Sequence, residues 1–266
     1  MRIHFCPNTL RSDQINIAKD IIISLEINGI ECTLSEDDSM AIFSDLNRAG
    51  KIEDCDIVAS LGGDGAVLRA AQIAIVYDKK LIGINAGRLG YLCAVDYKTI
   101  LQNGLDISDL IESKRSLLKI NYQDKEYNAL NDIVLSKSDF GSTITVDVSC
   151  NQLEDMAWRG DGVIVSTPTG STSYSYAAGG PFVDPNLKAF VITPICPHIG
   201  SDKSVILSDQ DIITLKPKDT YANLPCIYVD GINIGTLDQD LVITKSDQQL
   251  TLSTSRKSLN YNKIRK

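Results

Sequence analysis

Histidine is nearly missing from this chain: His4 and His198 are the only two in 266 residues. A metal cage built from several imidazoles is therefore excluded, and a Ser-His-Asp or Cys-His mechanism has only two candidates for its base. Cysteine is present but unpatterned. The seven (Cys6, Cys32, Cys55, Cys93, Cys150, Cys196 and Cys226) are odd in number, widely spaced, without a C-x-x-C pair and set mostly among apolar neighbours. That reads as buried free thiols in a reducing compartment, not as a disulfide framework. Positive charge is short as well: 26 Lys+Arg stand against 34 Asp+Glu, a net charge of −8. Such a balance argues against a general nucleic-acid or anionic-membrane binder and leaves room for a local basic pocket only. No apolar run approaches the ~20 residues of a membrane span, and the opening MRIHFCPNTLRSD turns polar before a signal-peptide core could form. The expectation is a cytoplasmic protein with neither membrane nor nucleic acid as partner. Several enzyme signatures are missing too: the P-loop G-x-x-x-x-G-K-[ST], the kinase H-R-D, the dinucleotide G-x-G-x-x-G and the hydrolase G-x-S-x-G.

What is present is ordinary globular composition, 43% hydrophobic and 23% charged, on a chain long enough for two cores. The first ~100 residues alternate short apolar runs with helix-period stretches, the signature of βαβ units around a parallel sheet. RIHFC is a first strand; from Ser12 the apolar Ile15, Ala18, Ile21, Ile22 and Leu25 repeat at helical spacing until Asn28-Gly29 supplies a stop. Asp56–Leu61 and Leu81–Asn85 read as buried strands flanking a helix from Ala66 to Tyr77. Beyond Ser113-Lys114-Arg115 long helical patterns cease and turn-punctuated strand patterns take over: Leu117–Tyr122, Ile133–Ser136, Thr143–Ser149, Gly162–Ser166, Phe190–Thr193, Ile212–Lys216, Ile227–Val229 and Leu241–Thr244. The expected architecture is an α/β N-terminal domain with a parallel sheet, residues 1–113, followed by a β-rich, sandwich-like domain, residues 114–247. The chain end, about 248–266, is expected to return to the first domain.

Three stretches could carry chemistry. Ser60-Leu61-Gly62-Gly63-Asp64-Gly65 places a diglycine and an acid where a buried strand ends and a helix begins, the place where open α/β sheets bind ligands and where a helix offers free N–H groups to phosphate. The bland alternative is that Asp64 merely caps the helix. Asn85-Ala86-Gly87-Arg88-Leu89-Gly90-Tyr91-Leu92 follows the next strand and would face the same edge, or else is a tight turn with Arg88 in solvent. In the β-rich half, Arg159-Gly160-Asp161-Gly162 leads into the hydroxyl- and glycine-rich run from Ser166 to Pro181, which suits a ribose or an amide-bearing ring as readily as it suits an ordinary loop. Asn131-Asp132 offers ligand partners or an Asx turn, and Asp230-Gly231 between two apolar triplets is most simply a type I′ hairpin turn.

Taken in order, GGDG at Gly62–Gly65, NAGRLGYL at Asn85–Leu92, the pair Asn131-Asp132, RGDGVIVSTPTGSTSYSYAAGGP at Arg159–Pro181, TPICPH at Thr193–His198 and Asp230-Gly231 resemble the NAD kinases, ATP- or polyphosphate-dependent. GGDG alone is shared with lipid kinases of the diacylglycerol type and resembles the phosphofructokinase pattern; the Arg159–Pro181 stretch is long and specific. The resemblance implies phosphorylation of the adenosine-ribose 2′-hydroxyl of NAD, with Asp64 as general base, Gly65 as its backbone neighbour and Gly62, Gly63 and Gly65 at the phosphates. It further implies that Asn131, Asp132, Arg159 and Asp161 contact the dinucleotide, the last two partly across a subunit contact, and that Thr172, Ser173, Tyr174, Ser175, Tyr176 and Ala177 line its adenosine and ribose. A divalent cation, Mg²⁺ with ATP, is expected to travel on the phosphates, and a homodimer or homotetramer to form. Departures from the pattern are Ala66 where Thr is usual, Ser173 where Ala is usual, and Ile232 where Gln is frequent, which weakens a contact at that point. Two further readings stand beside this one: a lipid or sugar kinase sharing GGDG, and a non-catalytic nucleotide sensor that would not need Asp64.

Overall fold

Parallel pairing organises the N-terminal part, as its alternation of strand and helix patterns predicts. The computed structural model describes residues 1–8, 12–44, 47–87, 90–151, 153–199, 203–218 and 224–255. Arg88 and the basic tail from 256 onward therefore lie outside the described residues. Two compact units form, one of Met1–Lys114 together with the chain from Leu250 on, the other of Arg115–Gln249.

The first unit runs β1 (Arg2–Cys6), α1 (Ser12–Ile27), β2 (Glu31–Thr33), α2 (Glu36–Phe43), β3 (Ile57–Gly62), α3 (Asp64–Val76), β4 (Lys80–Asn85), β5 (Val95–Asp96) and α4 (Tyr97–Asn103). The strands pair in parallel in the order β2-β1-β3-β4, with Cys6 opposite Ser60 and Gly62 opposite Asn85. Helix α1 buries Ala18, Ile21, Ile22 and Leu25 in one cluster with Ile3, Phe5, Ala59, Leu61, Ile82 and Ile84 of the sheet. Each fully buried Ile or Leu contributes roughly 1.5–3 kcal/mol. The α1 helix ends where Gly29 takes φ +78, a left-handed turn that glycine adopts without strain. Helix α3 packs on β3 and β4 and buries Val67, Ala70, Ala71 and Ala74. Because the chain steps from β1 to β2 on one side and then places β3 on the other side of β1, the carboxyl ends of β1 and β3 flank a topological switch point, the crevice where such sheets bind ligands. Gly62 is the last residue of β3.

Strand β6 (Leu110–Tyr122) begins in the first unit and ends in the second, which continues with β7 (Lys125–Ala129), β8 (Asp132–Ser136), β9 (Ile144–Cys150), β10 (Leu153–Gly160), β11 (Gly162–Ser166), the short α5 (Tyr174–Ala177), β12 (Ala189–Ile195), β13 (Val205–Ser208), β14 (Ile213–Lys218), β15 (Cys226–Val229), β16 (Ile232–Thr236) and β17 (Leu241–Ser255). One antiparallel sheet has the order β13-β12-β11-β8-β15-β16, and β10-β9-β14-β17 make another antiparallel set. Ile133, Leu135, Val163, Val165, Phe190 and Ile192 of the first face Val146, Val148, Trp158, Ile213, Leu215 and Ile243 of the second in a single core. That is the expected sandwich. The expected strands recur with shifted ends, Leu117–Tyr122 lengthened to Leu110–Tyr122 and Leu241–Thr244 to Leu241–Ser255. Strands β2, β5, β7, β10, β13 and β16 escape the periodicity. β2 has only three residues, and β16 has no buried residue to set a pattern.

Phe190 is fully buried whereas Phe140 is fully exposed. Phe190→Ala is expected to cost about 3–5 kcal/mol and Phe140→Ala within about 0.5 kcal/mol of nothing. Guanidinium denaturation of both variants checks this, and similar midpoints for the two would contradict the core assignment.

Candidate active site

Asp64 does not cap its own helix. The N-cap is Gly63, with no side-chain cap bond, and Asp64 is the first residue of α3. Its carboxylate crosses to the loop after β4, where Oδ2 accepts the N–H of Tyr91 at 2.8 Å and Oδ1 that of Leu92 at 2.9 Å. Two loops thus meet at one carboxylate, while the first N–H groups of α3 have no helical partner. Gly90 makes the approach possible, since a Cβ there would overlap the Asp64 carboxylate. Asn85, buried at the end of β4, ties the same loop with Nδ2 donating to Gly87 O at 3.1 Å and Asp96 Oδ2 at 3.0 Å. The glycines expected at the phosphates, Gly62, Gly63 and Gly65, surround Asp64 at the carboxyl edge of the sheet. Gln14, in the first turn of α1, is a residue that sequence reasoning missed. It is 5% exposed, and its Oε1 has no hydrogen-bond partner among the described residues although it lies 3.6 Å from where a Gly62 Cβ would stand.

In the second unit Asn131 and Asp132 sit where β7 gives way to β8, both 5% exposed. Thr167 brackets them, its N–H donating to Asn131 O at 2.9 Å and its Oγ1 to Leu130 O at 2.6 Å. Gly170 lies so close that a Cβ on it would come 2.7 Å from Asn131 Cα. Asn131 Oδ1 is buried without a partner among the described residues, as is Ser166 Oγ, whose residue stands opposite Asp132 in the β11–β8 register. Burial, and after it the charge of Asp230, pushes the Asp132 carboxyl up to about 7.

Arg159 is exposed at the end of β10, Nε donating to Thr143 Oγ1 at 3.1 Å. Asp161 is half-buried and paired with Lys137 at 2.7 Å, a partner that no motif announces. Burial, then Cys196, Asp161 and Asp132, push the Tyr174 phenol above its ordinary value, so α5 shares one neighbourhood with both acids. The segment 172–177 divides. Ser173, Tyr174, Tyr176 and Ala177 are exposed, but Ser175 is buried with its hydroxyl bonded to Thr193 Oγ1 at 2.9 Å, and Thr172 donates to Thr169 O at 3.2 Å. Many hydroxyls of this run therefore build the loop and do not open outward. Of the histidines, His4 is buried with its pKa lowered by burial and Nδ1 at Thr33 Oγ1; His198 is exposed. Ile232 is 49% exposed on β16. Asp139-Phe140-Gly141 spells a protein-kinase motif, but it is an exposed turn after β8 in which Asp139 Oδ1 accepts the Gly141 N–H at 3.0 Å.

The family models described as the ATP-NAD kinase N-terminal and C-terminal domains match residues 27–106 and 130–256. An NAD kinase of Natranaerobius thermophilus is 34% identical over 264 residues, 95% of this chain and 89% of that one. The chain belongs to the NAD kinase family. An NAD kinase of Treponema denticola is 34% identical over 249 residues, covering 89% of this chain and 85% of its own. Among solved structures, yeast NADH kinase complexed with NADH matches with a TM-score of 0.80 at 22% identity, over 100% of this chain and 86% of that one. An NAD kinase from Archaeoglobus fulgidus in complex with ATP matches with a TM-score of 0.77 at 24% identity, over 100% and 99%. These two likenesses show the shared fold.

A buried acid whose folded pKa is raised holds its proton more tightly when folded, so its contribution is favourable at low pH and is lost as pH climbs from about 4, the unfolded value, through about 7. Asp132→Asn removes that loss. The variant is expected to match the parent at pH 4 and to exceed it at pH 8 by on the order of 4 kcal/mol, read by denaturant melts at both pH values; equal stability at pH 8 would show that Asp132 ionises freely.

Proposed function

We propose that this chain transfers the terminal phosphoryl group of ATP, or of polyphosphate, to the 2′-hydroxyl of the adenosine ribose of NAD, making NADP. Family membership makes it a kinase acting on NAD. The observation that supports the residue roles is the Asp64 carboxylate, fixed beside the free N–H groups of α3 at the carboxyl end of β3. As the 2′-oxygen bonds to the terminal phosphorus and the bridging P–O bond breaks, Asp64 accepts the hydroxyl proton and the shortened donor leaves with the electron pair. General-base help of this kind is worth roughly 10²–10⁴ in rate. Each Asp64 oxygen keeps a lone pair beyond the one engaged by Tyr91 or Leu92, so the bonds that aim the carboxylate leave it able to take a proton. Glycine N–H groups at Gly63 and Gly65 would hold the transferring phosphate, and Asn131, Asp132 and the outward members of 172–177 the dinucleotide.

Mg²⁺ would be carried on donor phosphate oxygens and water. When bound, the ion neutralises charge on the transferring group. A lipid or sugar kinase is not favoured, because residues 130–256 match the NAD kinase C-terminal domain, and a non-catalytic sensor is not favoured, because the relatives matched over most of their length are NAD kinases. No helix among the described residues is long and apolar enough to cross a membrane, and all seven cysteines are free thiols; we assign the protein to the cytoplasm.

Asp64→Asn keeps the size of the side chain and one of its two acceptor oxygens for the Tyr91 and Leu92 N–H groups but takes no proton near neutrality, so circular dichroism scores its fold alongside the assay. Turnover in a coupled assay for NADP⁺ is expected to fall below about a tenth of the parent's while calorimetry still registers NAD binding; a higher residual rate would remove Asp64 as the base.

Arg159 is exposed in the second unit, where it can serve a site completed by a neighbouring chain in a homodimer or homotetramer. Mixing Asp64→Asn with Arg159→Ala chains, each inactive alone, is expected to restore part of the activity. A fully active monomer by light scattering, with no complementation, would end the shared-site idea and leave the kinase reading standing.

A further inference from the structure

Asp230 reads from the sequence as half of a tight turn, and it is one: with φ +49 at Asp230 and +80 at Gly231, both central residues lie where a type I′ turn needs them. A turn aspartate with no other task would keep its carboxylate in water. This one is 9% exposed, and it takes three backbone N–H groups about a hundred residues away along the chain. Oδ2 accepts Leu130 N–H at 2.8 Å, and Oδ1 accepts Asn131 N–H at 2.7 Å and Asp132 N–H at 3.2 Å. In return, Asp230 N–H donates to Asp132 O at 3.0 Å. With Thr167 engaging the carbonyls of Leu130 and Asn131, every main-chain donor and acceptor from Leu130 to Asp132 is satisfied. The buried Asn131 Oδ1 is left without a partner among the described residues.

We infer that Asp230 is a positioning residue for dinucleotide binding: its carboxylate gathers the three N–H groups of Leu130–Asp132, and so aims the side chains of Asn131 and Asp132. The inference rests on the reading that these two residues hold NAD. Three donors converging on one acid define the path of the turn more tightly than a neutral group could, since charge-assisted bonds are shorter and about twice as strong. An asparagine at 230 offers one oxygen and turns an NH₂ group toward N–H groups that need an acceptor. The same charge also acts on Asp132, whose carboxyl stands at about 7 through burial first and Asp230 second. Among the described residues the Tyr174 phenol on α5 also interacts with Asp132, and with Asp161 and Cys196, and is protonated throughout this range. As pH rises through about 7, Asp132 loses its proton and changes from donor to acceptor where the dinucleotide is read to bind, so the KM for NAD should change across this range.

The test compares parent, Asp230→Asn and Asp230→Glu by steady-state kinetics from pH 5.5 to 8.5, with circular dichroism to score folding. Asp230→Asn is expected to raise KM for NAD at least tenfold with KM for ATP within twofold, and to move the pH inflection in KM for NAD downward, though not to the ordinary carboxylate range because burial remains. Asp230→Glu keeps the charge and should restore the inflection while leaving KM raised. A proportionate loss of kcat with unchanged KM for NAD, or KM for both substrates rising together, would overturn the inference. If the Asn variant does not fold, the parent's own profile decides, and a KM for NAD flat across that range would overturn it. A parent that makes no NADP⁺ would instead overturn the reading on which the inference rests.

Discussion

A carboxylate held by backbone N–H groups is the constraint on which both units depend. An ionised acid removed from water is costly unless donors surround it, and backbone amides are donors whose positions are set by the fold rather than by side-chain rotamers. Asp64 obtains its two from Tyr91 and Leu92, and these bonds join the end of β3 to the loop after β4. Without them the diglycine would be a flexible corner. With them the start of α3, the carboxylate and the returning loop become one rigid feature at the switch point of the sheet.

The second unit solves a related problem with other materials. Asn131 and Asp132 sit where β7 gives way to β8, and backbone groups of a connection must find partners outside the ladder. Thr167 and the residues after it supply them: Ser171 Oγ donates to Pro168 O at 2.7 Å and accepts from Val183 N–H at 3.0 Å, while Ser175 and Thr193 share a bond. A hydroxyl-rich run next to a ligand site therefore serves first as the scaffold of that site. The groups left to meet a ligand are fewer than the composition suggests, and they are amides, exposed phenols and carboxylates.

How much of this was legible in the sequence follows the range of each interaction. The parallel sheet, α1 with its Gly29 stop and the strand Gly162–Ser166 come from periodicities that neighbouring residues carry within a few positions, and the sequence pattern marks them. Asp64 and Asp230 are each ambiguous locally, one as a helix cap and the other as a hairpin turn, because the partners that decide between readings lie 27 and 28 residues away for Asp64 and 98 to 100 for Asp230. No window of sequence contains both ends of such a bond. The family motif located these residues, and only the fold explains what their carboxylates hold. Gln14 and Lys137 belong to no motif, and their relevance appears only when a buried amide meets Gly62 and an ammonium meets Asp161.

The same logic explains why the site departs from the rules that govern the rest of the molecule. Ile133, Leu135 and Val165 beside it obey binary patterning and pack in the sandwich core, whereas Asn131 Oδ1 and Ser166 Oγ are buried without partners among the described residues and the Asp132 carboxyl is pushed up to about 7 by burial and by its neighbour's charge. Each unsatisfied buried group costs about 1–3 kcal/mol, a debt that a protein selected for stability alone would shed by placing an apolar residue there. The fold carries it because polar groups kept out of water and aimed in advance need no rearrangement when a ligand arrives. The backbone from Leu130 to Asp132 is fully hydrogen-bonded, so the unsatisfied groups are confined to side chains. Rigid main chain under unsatisfied side chains is what a preorganised binding surface requires.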